Sequence, residues 1–498
     1  MAMGGLPRTR SLRDVVLILL GATSMHIASV FMGFNEPTGS IIVKTEDFNN
    51  TLATPPTDDR EPSRERDVQK VLDPGRVTFD VAYELPETTV LSHAPGWTVF
   101  RNLYMSNGTM YIVSSEPASE HPENIAAREP TAQDMDFLTP AEARRRWGGN
   151  ADQAERNRVW SVGGNTVLVN EPPQFLDHYY HFCAELMLGV WPFWLGTFNV
   201  PVAASSPSVE AAPHLDRMIF LHAEAMGWRD RPGFNSYFLR SAFPSITVEV
   251  ETDWKDRIAA TATNGVPERA WHFDTLMLTD RSAAFRGESC VEHMEKLGTL
   301  SKWWWEPLRQ AVLRFAGVDQ ETLEIGVKAD AVAARKDGAE VGWAGSTSLS
   351  KPQPIVITYI SRQGARRHLI DEDHQALVHA LTAMCAAHDW ELNIVQAEHL
   401  THDEQMKLIA RTTHLIMMPV TPISTVIEIF YPTGYANDYK WTTHALGMKH
   451  FAIWNDTYHT YPEQLSPNYP EGFQGTQIPV YAPIITQIIQ NRIAGRLP

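Results

Sequence analysis

Residues 355–367 read Ile-Val-Ile-Thr-Tyr-Ile-Ser-Arg-Gln-Gly-Ala-Arg-Arg, an apolar run that passes directly into a basic loop. The run Ile355–Ile360 is rich in β-branched residues, which favours a β-strand. The pattern that follows predicts a helix at Asp371–His388 and further strands at Glu391–Val395, His414–Met418 and Val426–Phe430. Strands that alternate with helices are typical of a doubly wound parallel sheet, so we expect residues 355–460 to form a Rossmann-like domain.

Three arginines lie in the basic loop, namely Arg362, Arg366 and Arg367. Ligands of doubly wound sheets bind beyond the carboxyl ends of the strands. The loop therefore predicts an electropositive pocket for a diphosphate, and a basic surface loop without a ligand is the alternative. The sequence contains neither G-x-G-x-x-G nor G-x-x-x-x-G-K-[ST], so nothing in it supports a dinucleotide fingerprint or a P-loop.

The chain before residue 319 carries its own set of strand-like runs, at residues 98–100, 110–113, 165–169, 217–222, 246–250 and 275–278. Together with helical segments between them, these runs predict a first α/β domain over residues 76–318. Residues 319–354 are charged, aperiodic and rich in Ala, Gly and Ser, which predicts a flexible insertion or linker. We expect residues 461–498 to form a C-terminal tail that packs back onto the protein.

The segment 177–185, Asp-His-Tyr-Tyr-His-Phe-Cys-Ala-Glu, concentrates titratable groups within the first domain. On a helix His178, His181 and Glu185 stand at i, i+3 and i+7, and these positions share one face. Two imidazoles beside a carboxylate provide the groups that general acid–base catalysis needs. The alternative is the start of a core helix, with Asp177 as its N-cap and the histidines hydrogen-bonded internally.

The N-terminal region has the pattern of a secretory-pathway protein. Residues 15–34 form an uncharged run of 20 residues, with three arginines before it and acidic residues after it. A run of about 20 apolar residues suffices to cross a bilayer, and the charge asymmetry places the N-terminus in the cytosol. We therefore expect a cytosolic tail at residues 1–14, a signal-anchor helix at residues 15–34 and a disordered stem at residues 35–75. A cleaved signal peptide is the alternative.

Asn-x-Ser/Thr sequons at Asn49, Asn107 and Asn455 agree with a lumenal location, because such sites are glycosylated only there. The net charge of -17, from Lys+Arg 42 against Asp+Glu 59, makes nucleic acid a poor candidate for a partner. The three cysteines, Cys183, Cys290 and Cys385, are too few and too widely spaced for a zinc motif.

Four stretches in this order resemble the family 61 glycosyltransferases of the secretory pathway. They are His178-Tyr-Tyr-His181-Phe-x-x-Glu185, Thr358-Tyr-Ile-Ser-Arg362 with Arg366-Arg367, Val426-Ile-Glu428-Ile-Phe430, and Gly434-Tyr-Ala-Asn-Asp438-Tyr439. The similarity covers residues 165–460. It implies an inverting transferase of the GT-B type, with two Rossmann-like domains and the active site in the cleft between them.

The resemblance also implies roles for individual residues. The catalytic base comes from His178, His181 or Glu185; Glu185 has the simpler chemistry, and His181 then orients it. Arg362, Arg366 and Arg367 neutralise the diphosphate, so that no metal or other cofactor is required. The substrate is a nucleotide sugar of the UDP-sugar class, and the acceptor is a hydroxyl of a glycan or glycoprotein.

Two acidic residues complete the implied donor site. Glu428 accepts hydrogen bonds from the ribose hydroxyls, or is a buried structural carboxylate, and Asp438 is a candidate for the donor sugar. The resemblance places the protein in the Golgi or endoplasmic reticulum membrane as a single-pass type II protein with a lumenal catalytic part.

One departure from the family pattern follows Thr413. Family members carry a His-Gly-x-Gly-Leu-Thr turn between the penultimate strand and the next helix, whereas here Thr413 leads directly to His414. The alternative function is therefore a catalytically impaired homologue that still binds nucleotide or glycan. A lumenal hydrolase is disfavoured, because the sequence has no Gly-x-Ser-x-Gly and no second matched carboxylate motif.

Overall fold

The computed structural model describes residues 80–94, 96–116, 134–150, 153, 155–198, 213–262, 267–280, 304–324, 355–416, 424–463, 465–475 and 477–497. The predicted cytosolic tail, signal anchor and stem lie outside these ranges, as do the sequon at Asn49 and most of the predicted linker. Within the described ranges, no helix combines the length and the apolar character that a membrane span requires.

Counting described residues alone, the first sheet has eight strands. They are β1 (Thr89–Ala94), β2 (Trp97–Ser106), β3 (Thr109–Val113), β4 (Met135–Leu138), β5 (Val159–Val169), β6 (Arg217–Phe220), β7 (Thr247–Glu249) and β8 (Ala270–Thr279). Their order is β4-β3-β2-β8-β5-β6-β7, and β1 pairs with β2. Strands β8, β5, β6 and β7 are mutually parallel, whereas β2 is antiparallel to β1, β3 and β8.

The antiparallel part of this sheet was not predicted from the strand–helix alternation. Strands β2 and β3 form a hairpin whose two turn residues, Asn107 and Gly108, have φ angles of 50° and 85°. A two-residue turn with positive φ at both positions matches the right-handed twist of the flanking strands. The Asn-Gly pair at this point is therefore the local cause of the hairpin, and it places the predicted sequon Asn107 at an exposed tip.

The helices of this part are α1 (Pro140–Trp147), α2 (Pro173–Leu176), a π-helix (Tyr180–Met187), α3 (Leu188–Thr197), α4 (Phe234–Ala242), α5 (Glu251–Thr261), α6 (Glu306–Phe315) and α7 (Gln320–Leu323). A capping box of Thr139 and Glu142 begins α1. Helix α7 lies within the segment assigned to the linker. Asp319 caps it through the Thr322 N–H at 2.9 Å, and its Leu323 is buried.

The second sheet contains six described strands. They are β9 (Val356–Ile360), β10 (Glu391–Val395), β11 (His414–Ile416), β12 (Thr425–Phe430), β13 (Lys449–Trp454) and β14 (Thr457–Thr460), in the order β10-β9-β11-β12-β13-β14. All neighbours are parallel except β13 and β14. The first five strands follow the 2-1-3-4-5 order of doubly wound sheets.

The helices around the second sheet are α8 (Asp371–His388), a 3₁₀ turn (Ala397–His399), α9 (His402–Arg411), α10 (Asp438–Ala445) and α11 (Ala482–Ile493). Ile427 packs in a core that α8 and α11 cover, whereas its neighbour Val426 packs in the core that contains Trp191 of the first part. Successive residues of a strand point to opposite faces, so β12 separates two cores and joins the second sheet to the first.

Trp304 strengthens this junction. Its indole N–H donates to the Ala445 carbonyl at 3.1 Å, and its own carbonyl accepts from the Trp191 indole at 3.0 Å.

The two sheets and their helices confirm the mixed α/β class, and β9, α8, β10 and β12 lie where the sequence predicted them. Both sheets belong to one compact unit, Gly75–Pro498, so the division into two Rossmann-like domains, with boundaries at residues 76–318 and 355–460, stays a prediction.

Candidate functional site

A cavity lies at the carboxyl ends of β9 and β12. Residues from four segments line it: the end of β9 with the loop after it, the end of β12 with the residue after it, Tyr439 of α10, and Phe473 with Ile478. Its space is about 730 Å³ including open solvent. Two of the three loop arginines, Arg362 and Arg367, are among the lining residues, together with Glu428. We call this space the arginine cavity.

The side chain of Gln363 gives the loop its shape. Its amide N–H donates to the Leu369 carbonyl and its amide oxygen accepts from the Leu369 N–H, both at 3.1 Å. This pair of bonds closes the loop in the manner of a short β-bridge and holds Arg362 and Arg367 at the cavity. Arg366 is placed differently, because it is exposed and donates to Gln474 Oε1 at 2.9 Å.

The two lining arginines bring positive charge to the cavity. Burial, and then the neighbouring charge of Arg362, lower the pKa of Arg367, whose guanidinium nevertheless stays charged at neutral pH. Neither side chain forms an ion pair with any residue in the described part of the chain. Unpaired guanidinium groups at a cavity are suited to bidentate contacts with phosphate oxygens.

Glu428 faces the same cavity from β12. Its Oε2 lies 3.1 Å from His450 Nε2, and its side chain is 13% exposed. Burial raises the pKa of Glu428, and the contact with His450 opposes that rise. The parallel register pairs Val426 with His450 and Glu428 with Ala452, so these four residues share the face of the sheet that is directed toward the first part.

The second group of candidate residues lies on the π-helix. His181 Nδ1 is 2.7 Å from Glu185 Oε2, and the side chains are 31% and 9% exposed respectively. An imidazole that donates its Nδ1 proton to a carboxylate presents Nε2 as a base. The helix has i→i+5 geometry, which is rare and often found at functional sites. Pro192 of α3 has no N–H for the Leu188 carbonyl, so the regular ladder is interrupted at the junction with α3.

His178 lies before the π-helix. Its Nδ1 accepts a hydrogen bond from the Tyr180 N–H at 3.3 Å, and its ring centroid is 5.1 Å from that of His181. Although part of His178 is exposed, the surrounding protein and the neighbouring His181 lower its pKa. Asp177 is the C-cap of α2 and not the N-cap of the helix that carries His181, so that alternative was wrong in its capping.

Asp438 connects the π-helix with the arginine cavity. Its backbone carbonyl accepts a hydrogen bond from the Tyr180 hydroxyl at 2.5 Å, and the Tyr180 ring meets the ring of Tyr439 edge-on at 5.4 Å. Desolvation raises the pKa of the Asp438 carboxyl although part of the residue is exposed, and the charges of His181 and Arg367 oppose the rise. The Asp438 carboxyl therefore lies within electrostatic reach of both groups.

The structure thus brings together seven of the eight predicted catalytic and donor-site residues and places Arg366 apart from them. Three further residues were missed by sequence reasoning: Gln363, Tyr439 and His450. Gln363 and Tyr439 stand beside predicted residues, so closer attention to those motifs could have found them. His450 is far from Glu428 in the sequence, and only the pairing of β12 with β13 brings the two together.

The remaining predictions concern the sequons, the cysteines and metal binding. Asn107 is exposed in the β2–β3 turn, and Asn455 lies in the turn between β13 and β14 with its carbonyl bonded to the Tyr481 N–H at 3.0 Å. Cys183 and Cys385 are free thiols. In the ranges that the structure covers, no three His, Cys, Asp or Glu side chains are arranged to hold a metal ion.

No protein-family model matches the chain, and no curated protein matches it either. The resemblance to family 61 glycosyltransferases therefore rests on the four stretches quoted above.

Proposed function

We propose that this protein is an inverting glycosyltransferase that moves a sugar from a nucleotide-sugar donor, of the UDP-sugar class, to a hydroxyl of a glycan or protein. One observation carries the proposal. Arg362, Arg367 and Glu428 line a single cavity. The His181–Glu185 pair is close to it, because the Asp438 carboxyl lies within electrostatic reach of both His181 and Arg367. In this reading the two parts of the chain are two Rossmann-like domains, and the site lies where they meet.

The arginine cavity takes the leaving group. As the bond between the anomeric carbon and the diphosphate breaks, negative charge develops on the diphosphate oxygens, and preorganised positive groups stabilise it. Arg362 and Arg367 are suited to this role, since they have no ion-pair partner within the described chain. Glu428 is assigned to the ribose hydroxyls, with His450 holding its carboxylate in place at 3.1 Å.

The His181–Glu185 pair takes the proton. The acceptor oxygen forms the new bond to the anomeric carbon while its proton passes to His181 Nε2, and Glu185 stabilises the resulting imidazolium through Nδ1. The exposures favour this assignment, because the His181 side chain is 31% exposed whereas Glu185 is 9% exposed and already occupied by His181. His178, whose Nδ1 accepts a backbone bond, is assigned to acceptor or donor positioning.

A catalytically impaired homologue that binds a nucleoside diphosphate is the second candidate. The observation that favours it is the direct passage from Thr413 to His414, where the Gly-rich turn of the family is missing. Such a turn presents backbone N–H groups that bind anions.

Membrane anchoring as a type II protein, glycosylation and a Golgi or endoplasmic reticulum location belong to the same proposal.

The test is a panel of nucleotide sugars offered to the full chain purified from eukaryotic cells. Release of nucleoside diphosphate is measured together with calorimetric binding of UDP. Turnover of one donor, lost in His181→Gln with UDP binding retained, is the expected result for the transferase. UDP binding without turnover supports the impaired homologue. Absence of both binding and turnover for every nucleotide contradicts both candidates.

A further inference from the structure

A second cavity lies behind the arginine cavity, between α10, β13 and β14. Its space is about 1020 Å³ including open solvent. The two cavities share one wall, because Glu428 lines the first, His450 lines the second, and their side chains are in contact at 3.1 Å. Helix α10 contributes to both as well, through Tyr439 on one side and Lys440 on the other. Apart from His450, which holds Glu428, no residue with a role in the proposed transfer reaction lines this second cavity.

The charge of its lining is positive. Lys440 and Lys449 contribute two ammonium groups, and Glu463 is the sole carboxylate that the described lining contains. Burial lowers the pKa of Lys440, and neither lysine forms an ion pair with a residue that the structure describes. In a chain with a net charge of -17, two cations that lack such partners at one cavity are a local concentration of positive charge, which favours an anion.

The imidazole of His459 adds a polar group without a hydrogen-bond partner. Its Nδ1 lies 2.9 Å from Glu463 Oε1, whereas its buried Nε2 has no hydrogen-bond partner among the described residues. A buried polar atom left unpaired is unfavourable by about 1–3 kcal/mol. Because Nδ1 donates to Glu463, Nε2 is an acceptor, and a ligand hydroxyl in the cavity is one group that would satisfy it.

Two tyrosine rings also line this cavity. Tyr435 is buried, with Lys440 Nζ 6.0 Å from its ring centroid, and Tyr461 is 65% exposed, with its ring centroid 6.1 Å from that of His444. Rings of this kind offer flat apolar contact beside polar groups. Flat apolar surface next to fixed cations suits a ligand that has an apolar face and one negative charge.

We propose that the second cavity binds a small anionic carbohydrate, a sugar acid or a sugar phosphate. Lys440 and Lys449 hold its anionic group, and Tyr461 packs against its ring. This inference does not depend on the proposed transferase function, because the residues that carry it are separate from Arg362 and Arg367.

The experiment is calorimetry on the full chain with glucuronate, glucose 6-phosphate, inorganic phosphate and glucose as probes. We expect at least one of the two anionic sugars to bind, and both neutral glucose and inorganic phosphate to bind at least tenfold more weakly. The stronger of glucuronate and glucose 6-phosphate identifies whether a carboxylate or a phosphate is preferred. Lys440→Gln and Lys449→Gln should each weaken that binding by about tenfold. Lys255→Gln, which removes an exposed lysine of α5 far from the cavity in sequence, is the matched control and should change nothing.

The variant Arg367→Ala separates the two cavities. Anionic-sugar binding that survives this variant but is weakened by both lysine variants supports the proposal. Binding lost in Arg367→Ala and retained in Lys440→Gln would place the ligand in the arginine cavity and overturn it. Equal binding of inorganic phosphate and glucose 6-phosphate would also overturn the proposal, since the rings would then contribute nothing. A lack of binding by both anionic sugars would overturn it as well. Thermal unfolding of each lysine variant is compared with the parent protein to establish that it is folded.

Discussion

Replacing Arg367 with alanine, alongside Arg366→Ala as a control in the same loop, tests the arginine cavity most directly. The two residues are adjacent in the chain and have the same charge, so any general effect of net charge is the same for both. They differ in position, because Arg367 lines the cavity and Arg366 is exposed and bonded to Gln474. Only the first substitution should affect a bound diphosphate.

The size of the effect follows from the contacts. A hydrogen bond to a charged group contributes about 1.5–3 kcal/mol, which corresponds to a loss of UDP affinity of roughly ten- to a hundredfold. Arg362→Ala should give a loss in the same range. The folded protein should tolerate Arg367→Ala, because burial and the charge of Arg362 already disfavour the charged form of Arg367.

The assay is isothermal titration of UDP into each purified variant, with a chemical denaturation curve for each. We expect unchanged stability in all three variants, unchanged UDP affinity in Arg366→Ala, and the loss given above in Arg362→Ala and Arg367→Ala. If Arg366→Ala weakens binding as much as Arg367→Ala, the loop acts through its overall charge and the geometry assigned to it is wrong. If Arg367→Ala leaves the affinity unchanged, the diphosphate does not bind in this cavity.

Four further predictions concern other parts of the molecule. Burial lowers the pKa of His272 from 6.5 to about 4. Its contribution to the free energy of unfolding is therefore complete above pH 6.5 and is lost as the pH falls toward 4. Urea unfolding should show a free energy of unfolding that is about 2 kcal/mol lower at pH 5 than at pH 7, and this difference should be absent in His272→Gln. Tyr180→Phe removes a hydrogen bond worth about 0.5–1.5 kcal/mol and should reduce turnover while UDP affinity by calorimetry is retained. Asn107→Gln should remove part of the gel-mobility shift that endoglycosidase treatment produces in protein from eukaryotic cells, and a protein without any shift would contradict the lumenal location. A His-Gly-x-Gly-Leu-Thr segment inserted between Thr413 and His414 should raise transferase turnover, whereas robust turnover by the unmodified chain with no gain would show that the turn is dispensable.

Much of the second sheet could be predicted from local sequence. The apolar run Ile355–Ile360, the helix Asp371–His388 and the strand Glu391–Val395 coincide with β9, α8 and β10 to within one residue. Each depends on the periodicity of its own residues, and the position of the basic loop at a strand end follows from them. The mixed pairing of the first sheet was not predicted, because the long-range pairing of β2 with β8 leaves no periodic pattern in either strand.

The residue types of the candidate site, two histidines, three carboxylates and a cluster of arginines, were determined by the sequence alone. Their partners were decided by the tertiary structure. Arg366 donates to the side chain of Gln474, 108 residues away, whereas Arg362 and Arg367 line the cavity. The register of β12 against β13 gives Glu428 its contact with His450. Along the π-helix, the helical face at i, i+3 and i+7 predicted three equivalent residues, yet His181 contacts Glu185 and His178 bonds to the backbone instead. The physical reason is the same in each case: sequence spacing gives only the local direction of a side chain, whereas its hydrogen-bond partner depends on how distant segments pack.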